Sequence, residues 1–201
     1  MKKYCLTFFL TIITTALFAQ SIIKENLVWR QNQNAEFADS AQSPLKEVDR
    51  LKFDSLAFYP INEAFYIKAA FTLTPDSVPF KMKTSTDRLA DYRQWGIAHF
   101  EIDSQKVDLP VYQNLRLLNI PKYKDYLFIP FTDLTNGTET YGAGRYVEAN
   151  IPEGDTLVID FNKAYNPYCA YNGKYSCPIP PKENHLDVEV NAGELVFEKQ
   201  K

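Results

Sequence analysis

Seven stretches of this chain alternate apolar and polar residues with a period of two, and no helical pattern separates them, which leaves an antiparallel sheet as the consistent outcome. Phe65, Ile67, Ala69, Phe71 and Leu73 fall on one face of the first, and Pro75-Asp76 closes it. Ala98, Phe100 and Ile102 share a face in the second, and Val107, Leu109 and Val111 do so in the third. Asp103-Ser104-Gln105 between these two is short enough for a hairpin. Leu127, Ile129 and Phe131 follow. Residues 145–150 resume after a loop holding Gly137, Gly142 and Gly144, whose density implies left-handed backbone or close approach. Leu157, Ile159 and Phe161 form the next apolar face and turn Asp160 and Asn162 the other way. Leu186, Val188 and Val190 repeat the design, and Asn191-Ala192-Gly193 turns into residues 194–197. The expected fold is mainly β, an antiparallel sandwich or partly open barrel with one or two N-terminal helices.

The helices come first in the chain. Ser21 to Ala41 has Ile22, Ile23, Leu27, Val28 and Trp29 at helical spacing with Ser21 placed as a cap, and Ser43-Pro44 reads as the start of a short helix over residues 45–51. Before them, Lys2 and Lys3 precede an apolar run from Tyr4 to Ala19, the pattern of a secretory signal peptide. The run falls short of the roughly 20 residues a spanning helix needs. The expected organisation is a signal peptide over residues 1–19, a helical segment over 20–52 and a β domain over 53–201, with the mature protein secreted or periplasmic and without a membrane span.

Cleavage would remove two lysines and take the net charge from −3 to −5. An acidic exported protein has no electrostatic reason to seek nucleic acid. Cys5 would leave with the signal, and in an oxidising compartment Cys169 and Cys177 are expected to form a disulfide.

The segment from Phe128 to Glu194 holds the candidate site. Tyr141, Arg145, Asp160, Asn162, Tyr165, Asn166, Glu183 and Asn184 could together present acceptors, amide donors and aromatic walls to a small polar ligand or sugar. The same oxygens could ligate calcium, the one metal this set suits; no other cofactor is implied. The competing reading is that these side chains satisfy backbone groups in a proline-rich loop, with Arg145 paired to Asp133 or Asp160. Asp160 and Glu183 would also suit an extracytoplasmic hydrolase if held about 5 to 10 Å apart. A third alternative is an envelope structural or interaction protein. Pairing Cys169 with Cys177 would deny Cys169 a thiolate role beside His185, and His99 and His185 are too isolated for zinc. No serine-hydrolase, zinc-protease, phosphate-loop or dinucleotide motif occurs.

The runs FTDLTNGTETYGAGRY, DFNKAYNPYCAY and CPIPPKENHL, together with Ser43-Pro44-Leu45, resemble the prokaryotic family catalogued as domain of unknown function 1684. The resemblance spans nearly all of the chain beyond the signal segment. It implies that Thr140, Tyr141, Gly144, Arg145 and Tyr146, the Asp160–Cys169 run and the Cys177–Glu194 run belong to the family signature. It implies no activity.

Overall fold

The computed structural model describes residues 2–197, with side chains from residue 19 onward. Helix α1 (Lys2–Ala38) and a single turn, α2 (Glu47–Arg50), precede seven strands: β1 (Tyr66–Leu73), β2 (Phe80–Lys83), β3 (Leu89–Ile102), β4 (Gln105–Asn114), β5 (Tyr126–Phe131), β6 (Arg145–Asn150) and β7 (Thr156–Asp160). They form one antiparallel sheet in the order β6-β5-β4-β3-β1-β7, with β2 on the edge of β3, and the sheet curls into a nearly closed barrel. Of the two architectures expected from the alternation, the barrel is the one formed.

The long β3-β4 hairpin is its spine. Asp103 and Ser104 both take positive φ, 49° and 63°, the two-residue turn whose twist matches that of the flanking strands. A register shift between Gln94 and Gly96 bulges β3. Gly96 is required there, because a Cβ would lie 2.5 Å from the Phe71 ring and 2.7 Å from the Thr72 carbonyl. Leu109 and Val111, Leu127, Ile129 and Phe131, and Leu157 and Ile159 fill the interior with no exposure above 1 %, each contributing about 1.5 to 3 kcal/mol of apolar burial.

Four sequence expectations need correction. Leu186, Val188 and Val190 are buried as their alternation requires, yet they form no strand: Leu186 N–H donates to the Thr132 carbonyl (2.8 Å) and the Val188 carbonyl accepts from Leu134 N–H (3.0 Å), so their partner is a loop. Ser21 caps nothing, because α1 runs through it from Lys2. The buried face of α1 carries Ile22, Asn26 and Phe37, whereas Ile23, Leu27 and Val28 are exposed. The short helix begins at Glu47 with Lys46 as its N-cap, and Ser43 Oγ accepts from Leu45 N–H instead. Strand β2 escaped notice because only Met82 of its four residues is buried. The expected signal segment lies, for its side chains, outside the described residues. Among the described residues no helix is long and apolar enough to cross a membrane.

Candidate functional site

The polar residues singled out from the sequence fold into three separate neighbourhoods, each already engaged. Arg145 and Asp133 are an ion pair (2.8 Å) with both side chains fully buried. The same guanidinium donates to the carbonyls of Val190 (2.9 Å), Ala192 and Glu194, and so ties β6 to the C-terminal segment. Asp160 ends β7, accepts from Asn162 N–H (3.1 Å) and Nδ2 (3.0 Å), and receives Asn26 Nδ2 of α1 at 2.8 Å. Asn162 closes a reciprocal pair with the backbone of Asn62 (2.8 and 2.9 Å). Asn184 donates to the Pro110 carbonyl (2.9 Å) and accepts from Tyr112 OH (2.8 Å), while its neighbour Glu183 is exposed. Asp160 and Glu183 thus serve different surroundings, and buried amide and carboxylate groups here do what burial demands of them.

Tyr165 and Asn166 belong elsewhere. They line a cavity of about 470 Å³ on the outer face of the barrel. The period of two explains how it arises: where Leu127 and Ile129 face the interior, Phe128 and Tyr126 face out, and Tyr92, Tyr112 and Tyr146 do the same on β3, β4 and β6. Segment 161–178 crosses this second apolar face. Tyr165 and Tyr146 exchange both backbone hydrogen bonds at 3.0 Å, which adds a one-residue rung to β6. Tyr146 then sits edge-on between Phe128 (4.7 Å, 69°) and Tyr165 (5.7 Å, 88°). Helix α1 supplies the far wall with Trp29, Gln33, Glu36 and Phe37.

Three of the phenols lining this cavity donate to carboxylates, and Tyr146 OH donates to the Pro178 carbonyl. Tyr126 OH (3.0 Å) and Tyr165 OH (2.5 Å) both donate to Glu148 Oε1, and Tyr168 OH donates to Glu36 Oε1 (2.6 Å). Burial, reinforced by these carboxylates, raises the phenol pKa of Tyr126, Tyr165 and Tyr168, so the rings stay neutral. Asn166 donates its N–H to Glu194 Oε2 (3.0 Å) and its Nδ2 to the Leu195 carbonyl (2.8 Å), but its buried Oδ1 has no partner. A second hollow, of about 610 Å³, lies among Phe53, Tyr59, Glu139 and the segment leading into the undescribed residues 198–201; it mixes Lys52 with acidic groups and has no comparable aromatic wall.

Cys169 and Cys177, the expected disulfide partners, stand side by side as free thiols. Cys169 N–H donates to Cys177 Sγ at 3.2 Å, and Tyr141 OH lies 3.9 Å from Cys169 Sγ. The Cys177 thiol, donating towards Cys169, lowers the Cys169 pKa and raises its own.

Barrel, helix and cavity define a small β-barrel class with an aromatic hollow between its outer face and a covering loop. The chain belongs to the family described as a protein of unknown function, DUF1684, whose model matches residues 51–195. An uncharacterised protein of Haloarcula marismortui, solved by NMR in solution, shares 30 % identity, with a TM-score of 0.69 over 88 % of this chain and 95 % of that one. No curated protein matches. The α1 wall of the cavity precedes the residues matched by the family model.

Sequence reasoning missed Tyr92, Tyr126, Phe128 and Glu148 as site residues. The signal was present: the supposedly solvent-facing positions of four strands, β3 to β6, carry large rings, which a solvated face does not need.

Proposed function

We propose that the protein is an exported domain that binds a small ligand in the aromatic cavity between β5, β6, segment 165–178 and α1. The observation that carries this reading is the cavity itself: about 470 Å³, within the roughly 300 to 1,000 Å³ of ordinary ligand sites, with apolar walls and a few convergent polar atoms. A carbohydrate-like or other polar small molecule suits rings with hydroxyl tips. No specific observation favours a hydrolase built on Asp160 and Glu183, since neither lines the cavity.

Gln33 lines the cavity from the helix, and substituting tryptophan there fills the space without removing a hydrogen bond of the wall. A thermal-shift screen against sugars, polyols and amines is expected to yield at least one ligand that stabilises the native protein by about 2.7 kcal/mol at 100 times its dissociation constant. The Gln33→Trp variant should keep its melting temperature and lose that response. A response that survives in Gln33→Trp, or none across the screen, overturns the reading.

Export also bears on the two thiols. Glutathione disulfide is expected to oxidise them: the Cys169 thiolate attacks its S–S bond and expels one glutathione thiolate, and Cys177 then displaces the second, leaving a cystine and two reduced glutathiones. The short loop closed should add about 2 to 3 kcal/mol. Intact mass should fall by two thiol hydrogens and the melting point should rise in the wild type but not in Cys177→Ser. Two thiols still titratable after prolonged exposure would rule the pairing out.

A further inference from the structure

The charge of the cavity narrows its ligand. Three carboxyl groups line it, from Glu36, Glu148 and Glu194, and among the described residues no lysine or arginine does. The guanidinium of Arg88 is tied to Ser176 through its carbonyl (2.6 Å) and Oγ (3.0 Å), and that of Arg145 is taken up by Asp133 (2.8 Å) and by the carbonyls of Val190, Ala192 and Glu194. A hollow of this sign repels phosphates and carboxylates. Glu194 is committed to the fold, with one oxygen accepting from Tyr171 OH and the other from Asn166 N–H. Glu36 and Glu148 are not: their phenol bonds fall on Oε1 alone, so each keeps its other oxygen for a ligand. Both line the same hollow, Glu36 from the helix and Glu148 from β6.

The walls reinforce this preference. Tyr92, Tyr126, Tyr146, Tyr165, Tyr168 and Tyr175 all line the hollow, joined by Trp29, Phe37 and Phe128. Aromatic faces present negative quadrupole to an enclosed cation. Faces and carboxylates ask for the same thing, a positively charged organic group with an apolar shell.

Resting on the cavity reading above, we infer that the ligand is an organic ammonium ion, held with its charge among the tyrosine faces and the carboxylates of Glu36 and Glu148. Uncharged sugars satisfy the rings but leave the carboxylates without a counter-charge.

The test compares choline and ethanolamine with the uncharged isostere of choline in which carbon replaces nitrogen, by calorimetric titration of the native protein. At least one of the two cations is expected to bind about tenfold more tightly than the isostere. Glu148→Gln should erase most of that difference. Equal binding of cation and isostere, or binding of a sugar with none of either cation, refutes the ammonium assignment and leaves the cavity reading standing. No binding of cation, isostere or sugar refutes both.

Discussion

Arg145→Met is expected to lower the unfolding free energy by about 3 to 5 kcal/mol, the cost of leaving one partner of a buried ion pair uncompensated. For a chain of this length that is a fall of about 10 °C or more in melting temperature. The cause is specific. Asp133 is fully buried and retains only the Thr135 backbone N–H (2.7 Å) and hydroxyl once the guanidinium is gone. The carbonyls of Ala192 and Glu194 lose the Arg145 donor at the same time, and that of Val190 keeps only Ala192 N–H, which loosens the tie between β6 and the C-terminal segment. Methionine preserves an apolar stem but removes the guanidinium that lies 5.3 Å from the centre of the Phe131 ring, so that contact is lost as well. Adding Asp133→Asn should restore part of the stability by removing the stranded charge, but not all of it, because the carbonyls stay unpaired. Urea denaturation of the three proteins decides the matter. A loss below about 1 kcal/mol in the single variant, or full recovery in the double variant, would show that Arg145 does not hold the segment as described.

That expectation also marks what could be read from the sequence. The strands themselves followed from alternation because an interior face must exclude water whatever the details, and β5 and β6 begin and end where Leu127, Ile129, Phe131 and Val147 require. Pairing partners were not legible in the same way. Leu186, Val188 and Val190 alternate as well as any strand, but burial alone does not supply a neighbouring edge, and Thr132 and Leu134 in a loop took that role. The candidate site was half legible. Tyr165 and Asn166 do line the cavity, whereas Arg145, Asp160, Asn162 and Asn184 are clustered in sequence because an irregular segment with many prolines needs side chains to satisfy its backbone. That segment 161–178 would cover outward-facing rings such as Phe128 depends on contacts between residues far apart in the chain. The helix wall, contributed by Trp29 to Phe37, is more distant still and gives no local sign of its partner.

Stability is expected to decline as pH rises from about 4.5 to 7, with Glu194 as the group responsible. Burial of its carboxyl raises the pKa from the ordinary 4.5 to about 7, although Tyr171, Asn166 and the charge of Arg145 all pull the other way. An acid with a raised folded pKa holds a proton that the unfolded chain has already released. Its contribution is therefore complete below about 4.5, where both states are protonated, and is lost progressively as pH climbs to about 7. Each unit of pKa amounts to about 1.4 kcal/mol, so the rise makes a difference of about 3 kcal/mol across this window. Glu194→Gln isolates it. The variant keeps an acceptor for Tyr171 OH, loses the acceptor of Asn166 N–H, and carries no titratable group, so it should be less stable than the wild type at the acidic end and approach or overtake it above neutrality. The quantity to measure is the difference between the two unfolding free energies at each pH, in which the titrations common to both proteins cancel. A difference that stays constant with pH would mean that Glu194 is ionised throughout, and that the hydrogen bonds from Tyr171 and Asn166 outweigh its burial.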